Sequence, residues 1–226
     1  SDPQLLTNVG GVLYFRARMP ATGYEPYRLS ANASPVLSVI AGPVTYTEND
    51  PATLLDAAAT LTDADSADFD TGTLTVEFTA NGAAEDSLGV KTTTNVRRSG
   101  NNVEYDATGS FSGSEVVVGT VPASGAGSGL GGQALVVTFN ANCTPAIAQA
   151  VLRAIAYSNS SDNPSTLTRT VRVTANDGDG NNSNQPTLSI AVAAVNDAPT
   201  LTTVSTLAGA TEDTQFVISY AALAAA

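Results

Sequence analysis

The chain has 226 residues, enough for one large domain or two small ones with a real hydrophobic core. Hydrophobic residues make up 42% of it, which excludes an intrinsically disordered chain, and it has no histidine, the usual catalytic base near neutral pH. The formal charge is −12 with a single lysine, Lys91, so nucleic acids and anionic membranes, which are bound by clustered cations, are not expected partners.

The N-terminal segment, residues 1–35, predicts one β-hairpin. Val12, Tyr14 and Arg16 alternate with Leu13 and Phe15 as in a strand, and glycine and proline mark turns on both sides. A single hairpin is too small to fold alone. Its aromatic residues would either pack the hairpin on its neighbour or stack against sugars of a glycan; these are Tyr14, Phe15, Tyr24 and Tyr27.

Residues 36–199 predict one domain made of strands. The clearest strand is Thr73–Thr79, where Leu74, Val76 and Phe78 alternate with polar residues. Short strands separated by glycine and asparagine turns favour an all-β sandwich over an α/β fold. The other predicted strands are Val44–Glu48, Val96–Arg98, Val103–Tyr105, Glu115–Val121, Ala134–Phe139, Leu167–Thr174 and Thr187–Val195.

One segment of this domain predicts a short helix. Thr144 can cap the helix, Pro145 suits its first position, and the following apolar residues fall on one face. These residues are Ile147, Val151, Leu152 and Ile155. Between two strands, such a helix is expected to cross over one end of the sandwich.

Acidic clusters lie in the predicted turns at strand ends. Two carboxylates two residues apart in a loop, such as Asp63 with Asp65 or Asp177 with Asp179, can aim at one cation, and Ca²⁺ prefers such oxygen ligands. The alternative is that these residues form Asx turns and solvated loop charges. The remaining clusters are Glu48 with Asp50, Asp68 with Asp70, Asn196 with Asp197, and Glu212 with Asp213.

Several runs together resemble the cadherin-like repeats of large bacterial surface and RTX-type adhesins. The runs are YTENDPATLLDAAATLTDADS, FNANCTPAIAQAVLRAIAYSNSSDNP, RTVRVTANDGDGNNS and AVNDAPTLT, and TEDTQFVISYAALAAA resembles the opening of a next repeat. The resemblance covers residues 36–199, with 200–226 as the start of a further copy or an exchangeable strand. The N-terminal LTNVGGVLYFRARMPATGYEPYRLS is similar to another surface-protein repeat, of the ELWxSDGT type.

The resemblance implies a Greek-key, cadherin- or Ig-like sandwich in a secreted tandem stalk that Ca²⁺ stiffens at the joints between repeats. An early glutamate, a DxD loop, a late acidic loop and an Asn-Asp linker hold the calcium in such arrays. By position these residues are Glu48, Asp63, Asp65, Asp177, Asn196 and Asp197, with Glu212 as the early glutamate of the next copy. Neighbouring repeats or identical subunits are then the expected partners, beside a possible cell-surface protein or glycan.

Catalysis is not expected. The chain lacks a nucleophile-elbow, P-loop or metal-hydrolase motif, and a carboxylate-pair glycosidase would need an aromatic cleft that a chain without tryptophan is poorly equipped to build. We therefore expect an extracellular calcium-binding structural or adhesion module. The alternative is a subunit of an extracellular filament or sheath that assembles head-to-tail by strand exchange.

Overall fold

Alternating apolar and polar residues produce the longest strands of this chain. Every second side chain is buried along Arg169–Asn176, and Leu74 and Val76 are buried in the same way along Thr73–Ala80. Such alternation turns one face of a strand to the core and the other to solvent. The structure, a computed structural model, describes residues 4–9, 12–19, 23–29, 31–40, 42–198 and 211–217.

The described residues form strands and one helix. In chain order these are β1 Gln4–Val9, β2 Val12–Met19, β3 Gly23–Leu29, β4 Val36–Ser38, β5 Val44–Thr47, β6 Thr53–Leu54, β7 Thr60–Thr62, β8 Thr73–Ala80, β9 Asp86–Val90, β10 Val96–Ser99, β11 Asn102–Tyr105, β12 Val116–Thr120, β13 Leu135–Phe139, α1 Pro145–Arg153, β14 Ile155–Asn159, β15 Arg169–Asn176 and β16 Thr187–Ala193.

The described strands form four sheets. The largest has eight strands in the order β10-β11-β12-β13-β8-β15-β16-β5, and its pair β16–β5 is parallel while the others are antiparallel. A three-stranded sheet has the order β6-β14-β9, and β4 pairs with β7. The fourth sheet, β1-β2-β3, is an antiparallel meander with one strand more than the predicted hairpin. The predicted all-β class is confirmed.

One hydrophobic core joins the eight-stranded sheet to the sheets β6-β14-β9 and β4-β7 and to the helix. Val76 and Ile190 of the large sheet are buried together with Leu61 of β7 and Ile155 of β14. Aromatic rings also connect the sheets, because Tyr46 of β5 and Tyr157 of β14 meet edge to face with their centroids 5.1 Å apart. The eight-stranded sheet and these smaller elements therefore pack around one core.

The predicted helix is confirmed as α1. The Thr144 hydroxyl accepts a hydrogen bond from the Ile147 N–H group at 3.4 Å, and Pro145 occupies the first helical position. Val151 and Leu152 are buried. Ile155, which the pattern placed on the helix, instead begins β14, so α1 connects β13 of the eight-stranded sheet with β14 of the sheet β6-β14-β9.

A charged network lies inside this core. Arg169 is 1% exposed and its Nε donates to Asp86 Oδ2 at 3.1 Å, while the guanidinium also donates to the Ser165 carbonyl oxygen. Asp86 accepts further bonds from the Tyr157 hydroxyl at 2.5 Å and from Asn159 Nδ2 at 2.6 Å. Burial acts to raise the pKa of Asp86, but these donors outweigh it and the pKa is lowered. A buried arginine is thus held by a carboxylate from another sheet.

The glycine-rich loop 122–132 covers the edge of β9. The Leu88 N–H group donates to the Gly129 carbonyl oxygen at 2.7 Å, and the Gly132 N–H group donates to the backbone carbonyl oxygen of Asp86 at 2.8 Å. Gly129 has φ +77°, and a Cβ atom there would lie 2.1 Å from the Leu88 carbonyl oxygen. The loop therefore satisfies an otherwise open sheet edge, and this close approach requires glycine.

The loop between β11 and β12 is organised around the Asp106 carboxylate. It accepts bonds from the Thr108 hydroxyl at 2.7 Å, from the N–H groups of Thr108 and Phe111 at 2.8 and 2.7 Å, and from the Ser114 hydroxyl at 3.1 Å. These donors favour the charged form, the Thr108 hydroxyl most of all, so the pKa of Asp106 is lowered to about 2.

Asp106 should therefore contribute to acid sensitivity. Because its folded pKa lies below its unfolded value of 3.8, its stabilising effect is complete above about pH 4 and is lost as the pH falls through about 2. We expect the Asp106→Asn variant to be less stable than the wild type at pH 7, and the difference to shrink between about pH 4 and pH 2. Urea midpoints measured across this range test the expectation, and a difference that stays constant with pH would contradict it.

The chain divides into two compact units, Ser1–Ala194 and Val195–Ala226. The first holds all the strands and the helix named above. In the second, residues 211–214 form a turn in which the Thr214 hydroxyl donates to the Thr211 carbonyl oxygen at 3.0 Å.

Candidate metal centre

The predicted calcium ligands of the first unit lie at two opposite ends of the strands of the eight-stranded sheet. Glu48 directly follows β5, which runs parallel to β16, so it lies where β16 ends at Ala193. Asp177 directly follows β15, which runs antiparallel to β16, so it lies at the other end. The sequence pattern identified strand ends, and the sheet topology assigns them to different ends of the molecule.

A backbone hydrogen bond fixes the position of Glu48 at the end of β5. Its N–H group donates to the Ala193 carbonyl oxygen at 2.9 Å, and Glu48 is only 3% exposed. The Tyr46 hydroxyl lies 3.0 Å from the Asp50 carbonyl oxygen and 3.1 Å from the Asn159 carbonyl oxygen. Tyr46 therefore ties the loop that carries Glu48 to the loop that follows β14.

The second of these loops brings a carboxylate to Glu48. Asp162 is exposed in the turn after β14, and its ligand oxygen lies within 4.8 Å of that of Glu48. Two carboxylates this close repel each other unless a proton or a cation lies between them. We refer to these two residues as the Glu48–Asp162 pair.

Asp162 was not among the predicted ligands. It stands in the run Ser160-Ser161-Asp162-Asn163-Pro164, which ends a strand in the same way as the chosen clusters do. It lacks a second carboxylate two residues away, the spacing on which the other candidates were selected. The polar turn before Pro164 is the signal that would have included it.

At the opposite end, which we call the Asp177 end, loops 63–70 and 177–181 meet Asn32 and Ala33. Asn32 Nδ2 donates to Asp177 Oδ2 at 2.7 Å, and the Ala33 N–H group donates to both Asp65 oxygens at 3.1 Å. The two DxD loops are also close to each other, since a Cβ atom on Gly178 would lie 2.0 Å from the Asp70 carbonyl oxygen. The structure thus brings the Asp63–Asp65 and Asp177–Asp179 loops to one end.

Backbone donors occupy much of this end. Asp63 Oδ1 accepts bonds from the N–H groups of Asp65 at 3.1 Å and Ser66 at 2.9 Å, and Asp177 Oδ1 accepts one from Asp179 at 2.9 Å. Burial raises the pKa of Asp63, but these donors dominate and the pKa is lowered. The Asx-turn interpretation therefore describes the hydrogen bonds that these loops make.

The second carboxylate oxygen of Asp63, Oδ2, differs from Oδ1 in its hydrogen bonding. Asp63 Oδ2 and the Ser66 hydroxyl are buried atoms that have no hydrogen-bond partner among the described residues. A buried carboxylate oxygen without a donor fits a cation ligand. Within the described part of the chain, however, no three acidic ligand atoms at this end lie within 4.8 Å of one another. This end offers a partial ligand set.

The linker and the second unit hold the remaining predicted ligands. Asn196 and Asp197 are exposed, and Asn196 Nδ2 donates to the Asp197 carbonyl oxygen at 3.2 Å. Glu212 is exposed in the turn at 211–214. Gln215–Val217 forms no strand, and the rest of the predicted strand up to Tyr220 lies outside the described residues.

Comparisons with known proteins add no relative. No protein-family model, no curated protein and no solved structure matches the chain. In the part of the chain that the structure describes, no helix is both long and apolar enough to cross a membrane.

Proposed function

We propose that this chain is a non-enzymatic, extracellular structural module that binds Ca²⁺ at the ends of its sandwich and stiffens a tandem array of surface-protein repeats. The observation that supports it best is the Glu48–Asp162 pair, in which two carboxylates from separate loops lie within 4.8 Å at one end of the sandwich. Hard oxygen ligands of this kind suit Ca²⁺, which takes six to eight of them.

The linker would supply further ligands to this pair. Asn196 and Asp197 come three and four residues after Ala193, whose carbonyl oxygen accepts the Glu48 N–H bond. The Cα atom of Asp197 therefore lies within about 14 Å of that of Ala193 in any conformation of the linker.

The Asp177 end would provide the complementary half of a joint. Asp63 Oδ2 and the carboxylates of Asp65, Asp177 and Asp179 form a partial set, which a preceding repeat with its own glutamate and linker acids would complete. Glu212 would be the matching glutamate of a following repeat. An array of such modules would then have one calcium joint between each pair of neighbours, with ligands from both.

The order of strands supports a Greek-key, cadherin- or Ig-like sandwich as the architecture of this all-β chain. Consecutive strands change sheet repeatedly, as in the step from β8 to β9 and then to β10, and α1 connects β13 of the large sheet to β14 of a small one. Strand orders in which consecutive strands change sheet are typical of Greek-key sandwiches and not of simple meanders.

Calcium titration monitored by thermal unfolding tests the proposal. A ligand that binds only the folded state stabilises it by about 2.7 kcal/mol at a hundred times its Kd. We expect the melting temperature to rise with CaCl2, to return to its starting value with EDTA, and to respond less to MgCl2, which demands a stricter octahedral geometry.

Two variants locate the site. Asp162→Asn removes one charge of the pair and should abolish most of the calcium-dependent rise. Asp50→Asn is the matched control, because Asp50 is exposed two residues after Glu48 but is not part of the pair. An unchanged melting temperature of the wild type in calcium, or an equal rise in Asp162→Asn and the wild type, would refute the proposed site.

A further inference from the structure

The meander β1-β2-β3 presents a basic and aromatic face to solvent. Side chains opposite each other in antiparallel strands lie on the same face, and Tyr14 pairs with Arg28 while Arg18 pairs with Tyr24. Arg16 lies between them on β2, with its guanidinium carbon 5.2 Å from the centre of the Tyr24 ring. All five side chains are exposed. We call this surface the Tyr–Arg face.

The arginines of this face are not used within the described part of the chain. None of Arg16, Arg18 and Arg28 makes a salt bridge to a described carboxylate, whereas Arg97, Arg169 and Arg172 all do. The single acidic residue of the meander, Glu25, pairs with Ala17 and so lies on the opposite face. Three of the nine basic residues of the chain are thus gathered on one exposed surface.

The rest of the molecule has the opposite charge. Between residues 31 and 198 the sequence has seventeen acidic residues and six basic ones. At the Asp177 end, Asp65, Asp70 and Asp179 are exposed and Asp68 is half-buried. No hydrogen bond involves the side chains of Asp70 and Asp179 in the described part of the chain, so these carboxylates are open to a partner.

We propose that the Tyr–Arg face docks on the Asp177 end of a second copy of this chain. Charge complementarity supports this docking. Copies of a chain with formal charge −12 repel each other, and the exposed Tyr–Arg face has the opposite charge to the Asp177 end. Exposed tyrosine and arginine side chains are also the residue types enriched in protein interfaces. The contact does not depend on bound calcium, and it forms where no calcium joint with a preceding repeat occupies the Asp177 end.

Such a contact joins two different surfaces. In a heterologous contact of this kind, every complex keeps one unoccupied Tyr–Arg face and one unoccupied Asp177 end. Association therefore produces open chains of increasing length instead of a closed dimer. Sedimentation velocity of the full chain in EDTA and about 20 mM NaCl should therefore show a distribution that shifts to larger species with concentration. The species should dissociate at about 500 mM NaCl, where charges are screened beyond a few ångströms.

A charge-swap experiment tests the two surfaces together. The variant R16E/R18E makes the face acidic, and the variant D70K/D179K replaces two exposed carboxylates of the opposing end with lysines. We expect each variant alone to associate at least about tenfold more weakly than the wild type. An equimolar mixture of both should associate again, because the unchanged face of D70K/D179K meets the unchanged Asp177 end of R16E/R18E. K91E/R98E changes the net charge as R16E/R18E does but lies outside the face, and it should still associate.

Three outcomes would overturn the proposal. The wild type could remain monomeric at low salt at every concentration, or the mixture of R16E/R18E and D70K/D179K could fail to associate while both variants show wild-type circular dichroism.

The third outcome concerns a different ligand, the acidic polysaccharide alginate, which is tested for binding to the same face. Binding of alginate through Arg16 and Arg18 by a chain that does not self-associate would assign the face to a glycan instead.

Discussion

Replacing Asp86 by asparagine is expected to destabilise the fold by about 3–5 kcal/mol, the usual cost of removing one partner from a buried ion pair. Arg169 would keep its charge inside the core with only carbonyl and neutral amide acceptors around it. The substitution preserves size, so the loss reports the charge and not a cavity. Urea unfolding followed by circular dichroism measures it.

The half-exposed pair of Arg172 and Glu77 provides the matched control. Its side chains are 40% and 35% exposed, and Arg172 Nη2 lies 2.5 Å from Glu77 Oε1. Glu77→Gln should cost at most about 1 kcal/mol, because water screens an exposed pair. Equal losses for Asp86→Asn and Glu77→Gln would show that the buried network contributes no more to stability than a surface contact does.

Replacing Gly129 by alanine is expected to cost about 2–5 kcal/mol, since a strained left-handed backbone is combined with a steric clash. The new Cβ atom would lie 2.1 Å from the Leu88 carbonyl oxygen, and the neighbouring Leu88 N–H bond to Gly129 would have to lengthen. The edge of β9 would then lose its cover. Thermal or urea unfolding gives the loss directly.

Gly125 lies in the same loop and is the matched control, because it has the left-handed backbone of Gly129 without the steric clash. Its φ is +74°, close to that of Gly129, but nothing lies within 4 Å of a Cβ atom built there. Gly125→Ala should therefore cost only the backbone term of about 1–2 kcal/mol. If both variants lose the same stability, the close approach of the loop to β9 does not matter for the fold.

Local sequence signals were enough to predict several elements. The helix α1 begins at a capping threonine followed by proline, and the hairpin β10–β11 turns at Gly100, so each is specified by residues within a few positions. Strand β8 is clear because its alternation extends over the whole strand. Strands β4, β6 and β7 have only two or three residues each, which is too short for any period to be recognised.

Long-range pairing was not predictable. Arg169 occupies a core position of β15, and the partner that permits this, Asp86, is 83 residues away in the sequence. A charged residue in an alternating pattern normally predicts the solvent face, so the pattern alone misplaces it. In the same way, Asp162 lies far from Glu48 in the sequence, and the Tyr46 hydroxyl connects their two loops.

The candidate site was predicted at the level of strand ends. The acidic turns of the first unit do lie at strand ends. Which carboxylates accept backbone N–H groups, and which keep an oxygen free of them, depends on the loop conformation. Asp63 shows both, since Oδ1 accepts two backbone donors and Oδ2 accepts none among the described residues. Spacing in the sequence contains no information about this division.

The parallel pair of β5 and β16 has a mechanical consequence. The chain reaches the sandwich through Asn32 at the Asp177 end and leaves it through Ala193 at the other end. Tension applied through these two points reaches β4 and its partner β7 first, and then pulls β5 and β16 past each other along their length. The hydrogen bonds between these two strands, from the Val44–Ile190 pair to the Thr47–Ala193 pair, would then bear the load together instead of breaking one at a time. The short parallel pair at the edge of the large sheet is therefore the one that resists stretching.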